Sequence, residues 1–309
     1  MKNCLIAITG PTASGKTRLA IELAKQINAE IISCDSRQIY REFDIATAKP
    51  SLEEQDGIIH HLFDIISPQQ TFSASDFNDI AQQKIEEIWS CNKNVIVVGG
   101  TGFYFRILLE GLTLTNVAPN EQLRKELQNL AEENGKEAVF KILENLDLEA
   151  SKKIHFNNLD KVIRAIEICK TLNMPMSEAG QDYKPKYNVL WIGLDFKDRQ
   201  KLYDRINLRV DEMLRNGLEN EAKNLFKKYG QISSLMGTIG YQEFLPYFNG
   251  EVNYEEVTEK IKQNTRHYAK RQLTWFRSNK KMNWFYPDEE CFENIFGKVL
   301  KLYELSCKI

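Results

Sequence analysis

The segment ITGPTASGKTRLAIELA, residues 8–24, decides the fold of this 309-residue chain. It runs from the end of an apolar strand through a glycine-rich loop into an amphipathic helix, and it contains G-x-x-x-x-G-K-[ST] from Gly10 to Thr17. This pattern in this context predicts a phosphate-binding loop, in which backbone N–H groups and the helix N-terminus donate to an anion. In such a loop Lys16 reaches the distal phosphate and the Thr17 hydroxyl can ligate Mg²⁺. The motif leaves open whether the phosphates belong to a nucleotide or to a leaving diphosphate.

Apolar runs and amphipathic helices alternate outward from this loop. Buried strands are predicted in four runs, which are CLIAITG (4–10), AEIISCD (29–35), NVIVV (94–98) and YNVLWIGLDF (187–196). Helices are predicted over 17–28 and 73–91, the second with Ser73 or Ser75 as its cap. Such an alternation predicts an α/β fold, with a P-loop NTPase-like core of parallel strands flanked by helices.

The segment 115–185 differs from the rest because it is polar, helical in pattern and without a strand-like run. We therefore predict an all-helical insertion domain there, within an α/β core of residues 1–114 and 186–309. The core continues with one or two amphipathic helices in Arg199–Tyr229 and a long helix in Tyr254–Arg277, where the basic residues are concentrated.

Composition excludes several classes of protein. The formal net charge is -2, from 41 basic and 43 acidic side chains, so global charge does not indicate a nucleic-acid binder. Six cysteines without a C-x-x-C pair argue against a zinc site and a disulfide framework, and are typical of a reducing compartment. No apolar run is long enough to span a membrane, so we expect a cytoplasmic protein, and we expect a monomer.

Two polar residues end predicted strands at the same edge of the sheet as the loop. Asp35 could hold Mg²⁺ through water, act as a general base beside the phosphates, or simply cap the next helix, through Ser36 or itself. Thr101, in VVGGTGFY, could take part in catalysis or merely cap the next helix. The residues alone leave these alternatives open.

The C-terminal stretch between Glu259 and Asp288 contains eight Lys or Arg and no acid. Four of the basic residues share a helix face, namely Lys262, Arg266, Lys270 and Arg277. Another face, which we expect to pack inward, carries Ile261, Tyr268, Gln272 and Trp275. The basic face suits contact with a nucleic-acid backbone, and the alternative is a solvated surface.

Two arginines, Arg205 and Arg209, lie four residues apart in LYDRINLRVDEML (202–214) and so share a helix face. They could form ordinary surface pairs with Asp211 or Glu212, or one could reach back to the phosphates. Spacing does not separate these two interpretations.

Together these residues resemble the tRNA dimethylallyltransferases, also called tRNA isopentenyltransferases, over essentially the whole chain. The motifs are, in order, GPTASGKT (10–17), DSRQIYREFDIATAKP (35–50), HHLFDI (60–65), FSASDF (72–77), VVGGTGFYFRILLEG (97–111), IGYQE (239–243) and RHYAKRQLTWFR (266–277). The end at Ile309, without a Cys/His extension, leads us to expect a bacterial-type member.

The resemblance implies transfer of the dimethylallyl group of dimethylallyl diphosphate to N6 of adenosine 37, in the anticodon stem-loop of tRNA, with release of pyrophosphate. It implies Mg²⁺ as cofactor, held with Thr17. The diphosphate would be bound by Gly10, Pro11, Thr12, Ala13, Ser14, Gly15, Lys16, Thr17 and Arg209. The general base would be Asp35, and Thr101 would hydrogen-bond near the bridging oxygen. The residues implied to contact tRNA are Asp35, Ser36, Arg37, Gln38, Thr101, Arg124, Lys161, Arg164, Lys270, Arg271, Gln272 and Arg277.

The chain departs from the family pattern at a few places. The family usually has Gly where this chain has Ala46. In the run NNLDKVIRAIE (157–167), Lys161 replaces an arginine of the family pattern, and Asp160 replaces another of its residues. Two other enzymes remain as alternatives: a small-molecule or nucleotide kinase that uses the loop for ATP, and an adenylate isopentenyltransferase that prenylates free nucleotide.

Overall fold

The computed structural model describes residues 5–113, 117–179 and 183–307. The predicted domain start at Thr115 and the cysteine Cys4 lie outside these residues.

The chain divides into two compact units, and the larger comprises Met1–Glu110 and Pro185–Ile309. Its centre is a six-stranded sheet in which every neighbouring pair of strands is parallel. The strands are β1 (Leu5–Thr9), β2 (Ala29–Ser33), β3 (His60–His61), β4 (Asn94–Val98), β5 (Val189–Leu194) and β6 (Asn283–Phe285), in the spatial order β3-β2-β4-β1-β5-β6. The predicted parallel sheet is therefore confirmed, and the two short edge strands β3 and β6 are additions that the sequence pattern did not reveal.

The helices are given in chain order. They are α1 (Lys16–Ile27), α2 (Ala74–Ser90), α3 (Gly102–Leu108), α4 (Glu121–Asn134), α5 (Lys136–Leu146), α6 (Leu148–Ser151), α7 (Leu159–Leu172), α8 (Arg199–Arg215), α9 (Leu218–Tyr229), α10 (Ser233–Met236), α11 (Phe244–Phe248), α12 (Tyr254–Phe276) and α13 (Phe292–Cys307). Of the two candidate caps of α2, Ser73 occupies the N-cap position. Its side chain and that of Asp76 form a reciprocal capping box.

Alternation along the central strand β1 places apolar side chains on both faces of the sheet. Ile6 and Ile8 pack in one layer with Leu23 of α1 and Val299 of α13. On the opposite face of the sheet, Leu5 packs with residues of α2 and α3 in the other layer. Because both faces are covered, the strands are apolar throughout, and their carboxyl ends open at one edge.

The smaller unit, Gly111–Lys184, contains α4 to α7 around its own apolar cluster, which includes Leu127, Leu143 and Ile166. It begins four residues before the predicted position. The reason is that Leu112 forms a β-bridge with Tyr183, so this segment pairs with the end of its own unit.

Within the described residues, no helix combines the length and the apolar character needed to cross a membrane.

Candidate active site

The phosphate loop lies between β1 and α1 and has the backbone geometry that its sequence predicts. Ala13 and Gly15 have positive φ angles of 62° and 94°, and Gly15 occupies the N-cap position of α1. Lys16 Nζ donates to the Pro11 carbonyl at 2.7 Å, which folds the side chain back over the loop. Ser14 is 2% exposed, and its hydroxyl has no hydrogen-bond partner among the described residues. A phosphate oxygen in the loop could accept that hydrogen bond, so these residues fit an anion.

The charge of Lys16 is poorly compensated by the protein itself. Its pKa is lowered to about 7, mainly by burial and then by the positive charge of Arg209, although the Asp35 carboxylate opposes both effects. An anion that entered this site would stabilise the ammonium form and restore a higher pKa. The site therefore favours an anionic ligand.

The two arginines of α8 have different environments, which separates the two open interpretations. Arg205 Nε donates to the Ala13 carbonyl at 3.0 Å, so this side chain holds the phosphate loop in place. Arg209 has no hydrogen bond to any other described residue, and burial lowers its pKa. A largely buried guanidinium beside a phosphate loop can bind a phosphate by two parallel hydrogen bonds. We identify Arg209 as the arginine available to the anion.

Two cavities adjoin at the loop. The larger, about 780 Å³, is lined by the loop residues Ala13 to Thr17 and by Arg205 and Glu212. The smaller, about 410 Å³, extends to Asp35 and Tyr268. Both are lined by Lys16, Thr17, Ala48, Pro50, Arg209 and Met213. An anion site therefore shares a wall with a second chamber that contains a carboxylate.

Asp35 follows β2 and lines the smaller cavity. Its Oδ1 accepts the backbone N–H of Arg37 at 2.8 Å, as expected for a residue that caps a turn. Oδ2 makes no hydrogen bond within the described residues. The interpretation as a helix cap is therefore wrong, because a turn and not a helix follows Asp35. Oδ1 caps that turn, and Oδ2 can accept a proton.

Thr101 occupies the N-cap position of α3, but its side chain makes no capping hydrogen bond. Its Oγ1 instead accepts the backbone N–H of Ser36 at 3.0 Å and lies 3.4 Å from the Ser36 hydroxyl. The interpretation of Thr101 as a helix cap alone is therefore wrong, because its hydroxyl joins the ends of β2 and β4.

The segment Ser36–Gln38 lines the smaller cavity beside Asp35. Arg37 Nη1 donates to the Ser234 carbonyl at 3.4 Å. Gln38 Nε2 donates to the carbonyls of Thr47 and Ala48 at 3.1 and 3.3 Å. The predicted tRNA contacts of these residues stay predictions, since the contacts seen here are internal.

The basic face of α12 is partly used within the protein. Lys262 pairs with Asp211 at 2.8 Å, and Arg277 pairs with the buried Asp195 at 2.6 Å. Lys270 is exposed, and Arg271 is exposed at the wall of the smaller cavity. Gln272, on the other face of α12, is only 5% exposed and packs inward as expected.

In the smaller unit, one buried carboxylate holds two of the residues predicted to contact tRNA. Glu167 accepts two hydrogen bonds from Arg124 at 3.0 Å, and it also pairs with Arg164. Burial alone would raise the pKa of Glu167, but hydrogen bonds from Arg124, the Asn120 N–H and Arg164 outweigh it and hold the pKa at about 2. Lys161, by contrast, is exposed on α7.

The site also depends on residues that the sequence did not single out. Glu221 on α9 accepts the backbone N–H groups of Ile45 and Ala46 at 2.8 and 3.1 Å, and the Tyr241 hydroxyl at 2.6 Å. These contacts fix the segment 44–50, which borders both cavities. No local pattern marks Glu221, because its partners are distant in sequence.

Comparisons with known proteins identify relatives over nearly the whole chain. Residues 38–279 match the family described as IPP transferase. A tRNA dimethylallyltransferase of Thermoanaerobacter sp. (strain X514) is 41% identical over 303 residues, covering 96% of this chain and 96% of the relative. That of Bacillus cytotoxicus is 46% identical over 283 residues, with coverages of 91% and 89%.

Solved structures show the same likeness. The full-length tRNA isopentenylpyrophosphate transferase from Bacillus halodurans has a TM-score of 0.76 at 39% identity, covering 99% of this chain and 97% of that one. A eukaryotic dimethylallyltransferase described as acting on tRNA has a TM-score of 0.73 at 29% identity, covering 89% and 70%.

Proposed function

Because this chain belongs to the IPP transferase family, we propose that it transfers the dimethylallyl group of dimethylallyl diphosphate to N6 of adenosine 37 in tRNA. The products are N6-isopentenyladenosine in the tRNA and pyrophosphate. The observation that carries the proposal is the wall shared by the two cavities, where Lys16 of the phosphate loop and Arg209 line both the cavity at the loop and the chamber of Asp35.

The residues on both sides of that wall suit the two halves of the reaction. The C1–O bond of the donor breaks, and the negative charge that develops on the diphosphate is stabilised by loop N–H groups, Lys16 and Arg209. The N6–C1 bond forms as Asp35 accepts the proton released by the amine. Thr101 would hydrogen-bond near the bridging oxygen of the leaving group.

Mg²⁺ is part of this proposal. Thr17 lines both cavities, while the described residues contain no cluster of three His, Cys, Asp or Glu that could hold a metal ion. Mg²⁺ commonly takes one or two protein oxygens and completes its shell with phosphate oxygens and waters. Thr17 and the diphosphate fit that requirement, and the bound ion would neutralise charge on the leaving group.

The target base must leave its stack to reach Asp35, and such unstacking costs a few kcal/mol. Contacts with the RNA backbone would offset this cost. The residues we propose for them are Ser36, Arg37, Gln38, Arg124, Lys161, Arg164, Lys270, Arg271 and Arg277. We also propose a monomer in the cytoplasm, where Cys34, Cys91, Cys169 and Cys291, all unpaired in the structure, would stay reduced.

The test supplies dimethylallyl diphosphate labelled in its prenyl group together with tRNA, AMP or ATP in separate reactions. We expect label on tRNA, removed by nuclease as N6-isopentenyladenosine, and none on AMP. Label on AMP would instead indicate an adenylate isopentenyltransferase. Turnover of ATP with no transfer of label would indicate a kinase.

A further inference from the structure

Gln272 joins two segments of the active site that are far apart in sequence. Its Oε1 accepts the backbone N–H of Thr12 at 2.9 Å, and its Nε2 donates to the Gly100 carbonyl at 3.0 Å. Thr12 lies in the phosphate loop, and Gly100 directly precedes Thr101. One buried amide of α12 therefore bridges the loop that holds the anion and the turn between β4 and α3.

We propose that Gln272 is a positioning residue, which sets the distance between the phosphate loop and the Thr101 turn and so aligns the donor diphosphate with the reacting groups. This inference rests on the proposed function. It replaces the expectation that Gln272 contacts tRNA, because both polar atoms of its amide are engaged inside the protein and the side chain is 5% exposed.

An amide suits both ends of the bridge. Thr12 offers a donor and Gly100 an acceptor, and the Gln272 amide carries an acceptor and a donor on one rigid planar group. A Cβ at position 100 would lie 2.0 Å from Gln272 Nε2, so glycine is required for the amide to approach. The close fit shows that the turn and the amide are mutually adapted.

A neighbouring side chain of α12 lies beside the bridge. Tyr268, one turn before Gln272, lines the smaller cavity with it, and a Cβ at position 100 would lie 3.7 Å from the Tyr268 hydroxyl oxygen. Because Gly100 directly precedes Thr101, displacement of Gln272 would disturb Thr101 as well as Thr12.

The experiment compares Gln272→Met with Gln263→Met, the same substitution at an exposed glutamine of the same helix. Gln263 Oε1 accepts a hydrogen bond from Lys260 at the surface. We expect Gln272→Met to raise KM for dimethylallyl diphosphate and lower kcat, each about ten-fold or more, because small misplacements of reacting groups are costly. The dissociation constant for tRNA should stay within about two-fold of the wild type. Gln263→Met should leave all three constants unchanged.

Hydrogen exchange of the Thr12 N–H gives a readout that does not depend on activity. It should accelerate in Gln272→Met and remain as in the wild type in Gln263→Met, because only the first variant removes the acceptor. If tRNA affinity fell while KM for dimethylallyl diphosphate, kcat and Thr12 exchange were unchanged, Gln272 would be an RNA contact and the proposal would be wrong. Unchanged exchange together with unchanged constants would equally overturn it.

If Gln272→Met does not fold, Gln272→Asn is measured in the same way, since it keeps the amide but is one methylene too short to span both partners. If the wild-type protein transfers no label to tRNA, the proposed function fails by itself. Thr12 exchange would still decide whether the bridge holds the loop.

Discussion

Arg205 holds the phosphate loop by a hydrogen bond of 3.0 Å from its Nε to the carbonyl oxygen of Ala13. Arg209, one turn further along α8, lines both cavities and makes no hydrogen bond within the described residues. The same helix thus supplies one arginine that shapes the loop and one that lines both cavities with its guanidinium not hydrogen-bonded to the described residues.

Arg209→Met should lower kcat by about 10²- to 10³-fold, as loss of one preorganised donor to a developing negative charge does in other enzymes. The change removes the guanidinium while keeping the unbranched apolar part of the side chain. Steady-state kinetics with dimethylallyl diphosphate and tRNA measure the effect. Arg215→Met, at the exposed end of α8, is the control and should retain wild-type activity. Equal activity of both variants would contradict the role of Arg209.

Asp35→Asn should lower kcat by about 10²- to 10⁴-fold, the range expected for loss of a general base. The amide keeps an oxygen to accept the Arg37 N–H, so the turn should persist and tRNA affinity should stay within about two-fold. Single-turnover kinetics and tRNA binding are measured on the same preparation.

The control for Asp35→Asn is Asp79→Asn, on the exposed face of α2. If Asp35→Asn abolished tRNA binding but kept the rate of the chemical step, Asp35 would be an RNA contact and not the base.

Lys16→Met should stabilise the free protein most below pH 7. In the folded state the pKa of Lys16 is lowered to about 7 from the ordinary value of 10.5, so its charge is fully destabilising below the folded pKa. This cost fades as pH rises from about 7 towards 10.5, because the unfolded chain then binds more protons than the folded one. The difference in melting temperature between variant and wild type should therefore shrink with rising pH.

Thermal unfolding at a series of pH values, without ligand, measures this difference, and Lys223→Met at an exposed position of α9 is the control. A pH-independent difference would show that the Lys16 charge is not the cause. Saturating pyrophosphate should reverse the sign of the difference in melting temperature between Lys16→Met and the wild type, since the anion stabilises the wild-type protein through Lys16.

Glu167→Gln should destabilise the smaller unit by about 2–3 kcal/mol, because it weakens several charge-assisted hydrogen bonds at a buried position. The wild-type contribution should be complete above pH 4.5 and lost as pH falls towards about 2, since the folded pKa of Glu167 is the lower one. Hydrogen exchange of α7 amides in the full chain reports the change locally. Glu126→Gln, exposed on α4, should leave α7 protection as in the wild type.

Local patterns predicted the parts of this protein that depend on neighbours in sequence. The phosphate loop and the positions of Asp35 and Thr101 follow from strands whose carboxyl ends share one edge. The bridge through Gln272 could not be predicted, since an amide on a helix gives no sign of partners 260 and 172 residues away. Strand β6 was missed for a related reason, because three residues are too few to show alternation.

The ion pairs of Glu167 have a consequence for how binding would respond to salt. Two guanidiniums and the Glu167 carboxylate carry a net charge of about +1, and Glu121, 3.7 Å from Arg124, reduces it further. Arg124 and Arg164 together therefore present at most about one uncompensated charge. Each phosphate that a protein neutralises normally releases about 0.9 counterion from a duplex or 0.7 from a single strand. An RNA bound at both arginines would therefore show the salt dependence of at most about one contact there, and loss of the Glu167 carboxylate would increase it.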